Sequence, residues 1–530
     1  MENLQFQVDQ IFEKFDHTVT PGCALAVVRN KEIIYKRGYG MANLEYGIPI
    51  EPDTVFDVAS VSKQFTALAA ALLDNEGKLS LDDDVRIYVP ELPDYGNTIT
   101  LKHLIYHTSG LRDQWGLLIL AGWRWDDVIT MDDILELVSK QQALNFKPGD
   151  NFIYCNTGYT LLSLVIQRVT GKSLSDFCKE RIFSPLGMED THFHDDYAMV
   201  VKKRAYSYFP AGGNLYKNAV LNYANVGATG LFTTVEDLAL WDREFYEGRI
   251  FGKSVIDRMH TRGKLNNGET LEYAYGLQIS AYRGLKVVEH GGGEAGFRTH
   301  LMRFPGQNFS VIILSNLGTT SPAVLSRKIA DIYLKEQFVE QKEREKVIEL
   351  PSEKLQRFTG LYFNEKERST RLLEMRKGKL FLLRGSGLQL EPVAEDTFRL
   401  VMYPDVKIKF EKKNGGYQLV LGPEAYGRRP LTFDRMEVEN PSEEDLETCM
   451  GVYTCPELEI SYRLLVEEGK LMLQRRKYGK QTLDATIKDG FTQPGLDLNI
   501  FLTRNKIGQV NGMTISLDHV KNLRFLKQLQ

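Results

Sequence analysis

The sequence predicts an α+β chain, with an antiparallel sheet framing a largely helical insert over the first 330 or so residues and two small antiparallel β-barrels after it. Three observations predict this. Two apolar-rich runs, Gly22 to Val28 and Glu32 to Lys36, flank the turn-like Arg29-Asn30-Lys31, and a strand series returns after Tyr275. Between them the apolar spacing is helical. Beyond residue 350 the pattern alternates with period two, as in Val406-Lys407-Ile408-Lys409-Phe410-Glu411, and it is duplicated. Pro351-Ser352-Glu353, Gly360-Leu361-Tyr362 and Gly378-Lys379-Leu380 recur as Pro441-Ser442-Glu443, Gly451-Val452-Tyr453 and Gly469-Lys470-Leu471. A repeat of about 90 residues is too long for a solenoid and suits two copies of a small domain. Short alternating strands of this number close most economically into barrels, which have no sheet edges.

In chain order, Val8, Ile11, Phe12 and Phe15 make the stripe of a first amphipathic helix, and the hairpin follows. Pro52-Asp53 marks a turn before a helix from Ser60 to about Leu73, whose apolar face is Phe65, Leu68, Ala69 and Leu72. Leu101 to Leu111 reads as a short helix ending at Gly110, with His103 and His107 as packed structural histidines. Lys147-Pro148-Gly149 turns into Phe152 to Tyr159, and Leu161, Leu162, Val165, Ile166 and Val169 continue as a helix stopped by Gly171. Further helices fall at Leu174 to Ile182 and Val235 to Phe245. The late strands are Lys286 to Glu289, Arg298 to Phe304 and Ser310 to Leu314, with Pro305-Gly306 turning between the last two. The charge-dense run Glu340 to Lys346 is read as a linker.

Composition narrows the function. With 43% hydrophobic and 26% charged residues, the chain is ordinary globular protein, and a net charge of −4 without a basic stripe argues against nucleic-acid binding. No apolar run approaches the roughly 20 residues that span a bilayer, so no membrane association is expected. The N-terminus lacks the basic start and continuous apolar core of a secretory signal. Five scattered cysteines argue against a disulfide framework and for a reducing compartment, with cytoplasm the default. No Cys/His cluster has metal-ligand spacing and no glycine-rich loop matches a nucleotide fingerprint, so no metal or cofactor is expected.

Three short elements carry chemistry. Ser60-Val61-Ser62-Lys63 is the one Ser-x-x-Lys of the chain. On a helix its hydroxyl and amine lie one turn apart on one face, where a neutral lysine can take the serine proton and the helix N-terminus favours the anion that develops. Tyr154-Cys155-Asn156 opens a later helix and offers a phenol and an amide. The Tyr-x-Asn pattern also occurs at Tyr216, Tyr223 and Tyr362, but only Tyr154 combines the preceding Pro-Gly turn with the following helix. His290-Gly291-Gly292 lies on a strand, its glycines permitting close backbone approach by a substrate.

Order, spacing and context of the three elements resemble the penicillin-binding protein and class C β-lactamase superfamily of serine hydrolases over roughly residues 5 to 330. The resemblance extends to Pro21-Gly22, His107-Thr108-Ser109-Gly110-Leu111, Pro148-Gly149, Pro185-Leu186-Gly187-Met188 and Gly230-Leu231. A hydrolase domain followed by two barrels looks like the three-domain D-aminopeptidases of that superfamily. The implied layout is a β-lactamase/transpeptidase-like domain at 1–335, a charged linker at 336–350, and two lipocalin-like barrels at 351–438 and 439–530.

The resemblance implies acyl transfer through an acyl-enzyme on Ser60. Lys63 and Tyr154 share the base role, Asn156 orients Lys63 and the substrate amide, and the N–H groups of Ser60 and Gly293 form the oxyanion hole. His290, Gly292 and Gly293 line the substrate. Lys-Thr-Gly and Ser-Asp-Asn are both absent, which favours Tyr154 over a separate glutamate for proton transfer. His290 stands where penicillin-recognising members carry lysine, and a pH-dependent imidazole is a weaker anchor for a carboxylate, so penicillin turnover is expected to be poor. The expected substrate is a small molecule or short peptide, hydrolysed as by a D-aminopeptidase, with an acidic loop near Asp484 or Asp489 as a candidate reader of a free amine. The rivals are a carboxylesterase or weak β-lactamase using the same residues, and a catalytically silent binding or scaffold protein. Assembly into a homo-oligomer is left open.

Overall fold

Asn30 and Lys31 both adopt left-handed backbone (φ 51° and 71°), the geometry of a tight hairpin turn, and join strand β1 (Cys23–Arg29) to β2 (Glu32–Tyr39). The computed structural model describes residues 2–339, 346–383, 387–401, 406–413, 416–422, 430–493 and 495–528. The chain forms two compact units. The described residues within 1–111, 125–136 and 146–342 make the first; those within 112–124, 137–145 and 343–530 make the second.

In the first unit, helix α1 (Glu2–Phe12) precedes the hairpin, and α2 (Lys63–Asn75), α3 (Asn156–Thr170) and α4 (Val235–Glu247) follow it. Strands β3 (Gln278–Tyr282), β4 (Leu285–Glu294), β5 (Phe297–Phe304) and β6 (Phe309–Ser315) then lead to helix α5 (Pro322–Tyr333). The sheet order is β3-β4-β5-β6-β1-β2, antiparallel throughout, with Cys23 opposite Ser315. This closure unites hairpin and late strands across nearly 300 residues. It also explains why β1 is apolar without alternation: both its faces are covered. Cys23, Leu25 and Val27 pack with Val8, Phe12, Ile313 and Ile329 of one core layer, while the small Ala24 and Ala26 lie on the opposite face of a strand that α4 also packs against.

Local boundaries differ from the sequence reading where the backbone turns sharply. The helix expected from Ser60 begins as a 3-10 turn at Ala59–Ser62 and becomes α-helical at Lys63. The segment Leu101 to Leu111 is helical only over Leu101–Ile105, because His107 is in the left-handed region (φ 57°). Lys286 to Glu289 and His290 to Gly293 are one continuous strand, β4.

The second unit holds both barrels. Eight strands from Gly360–Asn364 to Leu431–Met436 close on themselves, Leu361 pairing with Met436 around a core that includes Phe358, Tyr362, Phe398, Phe410 and Phe433. Nine more form a nearly closed sheet in which Gly451–Cys455 pairs with Val520–Lys527, and the two end strands, Gly479–Thr482 and Asp484–Ala485, are neighbours in sequence. The repeated Gly-x-Tyr has one structural job in both copies. The buried Tyr362 and Tyr453 hydroxyls donate to carbonyls four residues upstream, Phe358 (3.0 Å) and Cys449 (2.6 Å).

The segments 112–124 and 137–145, which the layout read from sequence places in the hydrolase domain, pack with these C-terminal strands. Arg112 pairs with Glu457 at 2.5 Å, both buried, and the same carboxylate accepts the Gln142 N–H. Of the charged run Glu340 to Lys346, residues 340–345 lie outside the described residues. Among the described residues no helix is long and apolar enough to cross a membrane. All five cysteines are buried and free.

Candidate active site

The site is assembled on a short segment, Asp57 to Ser62, pinned from every side. Val58 N–H donates to Leu231 O (2.9 Å), Thr299 Oγ1 of β5 donates to Val58 O (2.9 Å), and Ser62 Oγ accepts from Leu231 N–H (3.1 Å). Ala59 is in the left-handed region (φ 47°), a conformation that costs a non-glycine residue about 1–2 kcal/mol and persists only under such constraint. The Asp57 carboxylate helps hold it by accepting the Ala59 N–H at 2.5 Å. Burial drives the Asp57 carboxyl up to about 7 against that hydrogen bond and the nearby Arg204.

Ser60 follows the strained residue and keeps exposed surface, whereas Lys63 is fully buried. Lys63 Nζ lies 3.0 Å from Ser60 Oγ, 2.9 Å from Asn156 Oδ1 and 2.7 Å from Ala228 O. The amide and carbonyl oxygens can only accept, so they take two N–H groups. In a neutral amine the remaining position facing Ser60 Oγ is the lone pair. Nζ also sits over the Tyr154 ring, 4.8 Å from its centroid.

Tyr154 is placed by the loop before α3, and that loop is placed by His107. The His107 imidazole packs on Tyr154 with 4.2 Å between centroids, its Nδ1 accepts the Cys155 N–H at 3.0 Å, and its carbonyl accepts from Ile153. A histidine read from sequence as structural is thus what orients the phenol and, two residues on, Asn156. Neither Tyr216 to Asn218, on an outer hairpin strand, nor Tyr362 to Asn364, in the first barrel, belongs to this group.

His290 is fully buried on β4, and both ring nitrogens are engaged. Nδ1 lies 2.6 Å from Gly291 O and must carry the proton; Nε2 lies 3.0 Å from the Tyr273 hydroxyl and accepts from it. Burial first, and the neighbouring Lys63 side chain second, push the imidazole down to about 3, so it is neutral at physiological pH. Such a ring positions Tyr273 and the strand, and offers a substrate carboxylate no ion pair.

The structure gives the glycine at 292 a packing reason as well. A Cβ there would stand 2.3 Å from Val58 O and 3.1 Å from Ala59 Cβ, because the Ser60-bearing segment approaches this strand closely. Gly293 is exposed at the strand end and pairs in register with Arg298.

Several contributors lay outside the sequence motifs: Ala228, Tyr273, Asp57 and Glu294. Glu294 ends β4, accepts a hydrogen bond from Thr229 Oγ1, and interacts electrostatically with Asp57 and Lys63. The sequence signal for them was faint: a polar, small-residue stretch around Gly227–Gly230 and an acid following three glycines. Among the described residues no group of three or more His, Cys, Asp or Glu side chains is arranged to hold a metal ion.

Set beside known proteins, residues 8–334 match the model of the Beta-lactamase family. Penicillin-binding protein 4* of Bacillus subtilis is 29% identical over 330 residues, covering 59% of this chain and 72% of that protein. A D-aminopeptidase of Gluconobacter oxydans is 27% identical over 452 residues, covering 83% and 80%. The structure of the octameric penicillin-binding protein homologue from Pyrococcus abyssi superposes with a TM-score of 0.58 at 25% identity, over 81% of this chain and 99% of that one.

Proposed function

The chain belongs to the Beta-lactamase family, and from that premise we propose that it is a serine hydrolase with D-aminopeptidase-like preference, cleaving small amides or short peptides with a free N-terminal amine. The observation that carries the reading is the Lys63 amine, held by Asn156 and Ala228 with its third position on Ser60 Oγ. Ser60 attacks the substrate carbonyl as Lys63 accepts its proton, with Tyr154 sharing that role. The proton passes to the leaving amine, and water enters by the reverse path to release the acid. The N–H groups of Ser60 and Gly293 receive the oxyanion; donors of this kind are worth roughly 3–4 kcal/mol each in the transition state. Asn156, His290 and Gly292 shape the substrate's side of the site. The similarity to a D-aminopeptidase across both halves of the chain supports the preference for an amine-bearing substrate.

A neutral, internally bonded His290 supports poor turnover of penicillins, whose carboxylate finds no cation there. The layout of one hydrolase domain at 1–335 and barrels at 351–438 and 439–530 belongs to the same proposal, as does a reducing, cytoplasmic setting, which five free cysteines support. Assembly into a homo-oligomer is proposed from the octameric relative and is read by light scattering.

The test is intact mass of wild type and Ser60→Ala after exposure to a fluorophosphonate, followed by D- and L-alanine p-nitroanilides, a matched ester and benzylpenicillin. A single adduct on the wild type alone, with faster cleavage of the D-anilide, is expected. Adduct on both proteins, or on neither, overturns Ser60 as nucleophile; faster ester than anilide turnover under acylation-limited conditions moves the reading to an esterase.

A further inference from the structure

We propose that Glu294 is the specificity residue that receives the substrate's α-ammonium group, an inference that rests on the aminopeptidase reading above. Side chains on a strand alternate, so His290, Gly292 and Glu294 share one face of β4. The direction of that face is set by Gly292, whose Cβ position points at Val58 O and Ala59 Cβ, the residues just before the nucleophile. Glu294 therefore projects toward the Ser60 segment. Its carboxylate is clamped by Thr229 Oγ1, and Thr229 follows Ala228, whose carbonyl binds Lys63 Nζ.

The acid is thus bracketed between the nucleophile segment and the catalytic amine. In an α-amino acyl substrate the amine sits about 2.5 Å from the carbonyl carbon that Ser60 attacks. A reader of that amine must stand beside the oxyanion donors, and Glu294 directly follows Gly293.

Two further features suit the role. No basic side chain forms an ion pair with Glu294 among the described residues, although it lies next to a buried carboxylate, Asp57. The residue as a whole is only partly buried, as Ser60 is, although its carboxyl group is withdrawn from solvent, whereas Asp57 is buried throughout. Burial and the Asp57 charge hold the Glu294 carboxyl above the usual range, and an incoming ammonium offsets both costs. Of the two acids read from sequence as candidate amine readers, Asp484 and Asp489, the second has both oxygens bonded to Arg504 within the second unit.

The experiment compares kcat/KM for D-alanine p-nitroanilide with that for propionic acid p-nitroanilide, which lacks only the amine, in wild type, Glu294→Asp and Glu294→Gln. Fluorophosphonate labelling of each variant reports the state of the nucleophile. The wild-type ratio is expected to exceed tenfold, to fall by about 10- to 100-fold in Glu294→Gln, and to take an intermediate value in Glu294→Asp. A high wild-type ratio that both variants leave intact, including by a parallel fall of both substrates, overturns the inference alone. A wild-type ratio near one overturns the aminopeptidase reading and the inference with it. Where Glu294→Gln does not fold, Glu294→Asp decides, since shortening the acid by one methylene must still lower the ratio.

Discussion

Lys63 has no slack. Asn156 Oδ1 and Ala228 O hold the amine at Ser60 Oγ, so losing one acceptor re-aims it, and a buried amine cannot recover the partner from solvent. Asn156→Ala should lower the acylation rate by about 10- to 100-fold, the usual cost of a hydrogen bond to a charged or charge-bearing group, with kcat affected more than KM. Stopped-flow fluorophosphonate labelling checks it; an unchanged rate would show that Asn156 does not aim the amine. Glu294 supplies a pH signature. Its folded-state pKa is raised, so between the unfolded value near 4.5 and about 8 the folded state binds the extra proton, and the residue's contribution to stability declines as pH rises through that window. The groups that bear on it are Asp57, Lys63, Thr229 and Tyr223, with Arg204 acting through Asp57. The melting temperature of Glu294→Gln relative to wild type should accordingly climb as pH rises from 4.5 to 8. A flat difference would place the carboxylate in ordinary solvent.

The elements that matter most are β4 and the Asp57 to Ser62 segment, because each is shaped by the other. A methyl group at 292 would meet Val58 O and Thr299 Oγ1, both at 2.3 Å, and the backbone carbonyl cannot step aside without carrying Ser60 with it. Gly292→Ala is expected to cost about 1–3 kcal/mol as an overpacking change and to depress kcat/KM at least 100-fold. Thermal unfolding and the anilide assay together check this, and loss of stability without loss of activity would refute the coupling. The same element shows how far the sequence could be read. The motif His290-Gly291-Gly292 is visible in the sequence, but the packing neighbour of its second glycine is not. That neighbour, Val58, lies more than 230 residues away and is held at this sheet by the Thr299 bond among other contacts.

At the scale of the molecule, two excursions of the chain, 112–124 and 137–145, belong to the unit built from the C-terminal strands. Their anchor is the buried Arg112–Glu457 pair, with Gln141, Gln142 and the carbonyl of Lys521 completing the donors and acceptors. Removing one member strands the other as a buried charge, which typically costs about 3–5 kcal/mol. Glu457→Ala should therefore lower the unfolding midpoint and raise hydrogen exchange across 112–124 ahead of the first unit's sheet. Exchange that rises uniformly over the whole chain would argue against this local anchor.

By itself the sequence determined the kinds of element and their local order. Period-two and helical patterns, turn dipeptides, the Ser-x-x-Lys spacing and the 90-residue repeat all depend on residues a few positions apart or on recurrence along the chain. The repeat's Gly-x-Tyr could be seen without its reason, a hydroxyl bonded four residues back. Only the tertiary structure decided which other distant groups meet: Ala228 on Lys63, Tyr273 on His290, Thr229 on Glu294, and Arg112 with Glu457. The physical reason is that burial and hydrogen-bond satisfaction are properties of a packed neighbourhood. They leave no periodic trace along the chain, because a single polar residue placed once carries the same letter whether it faces water or a buried amine.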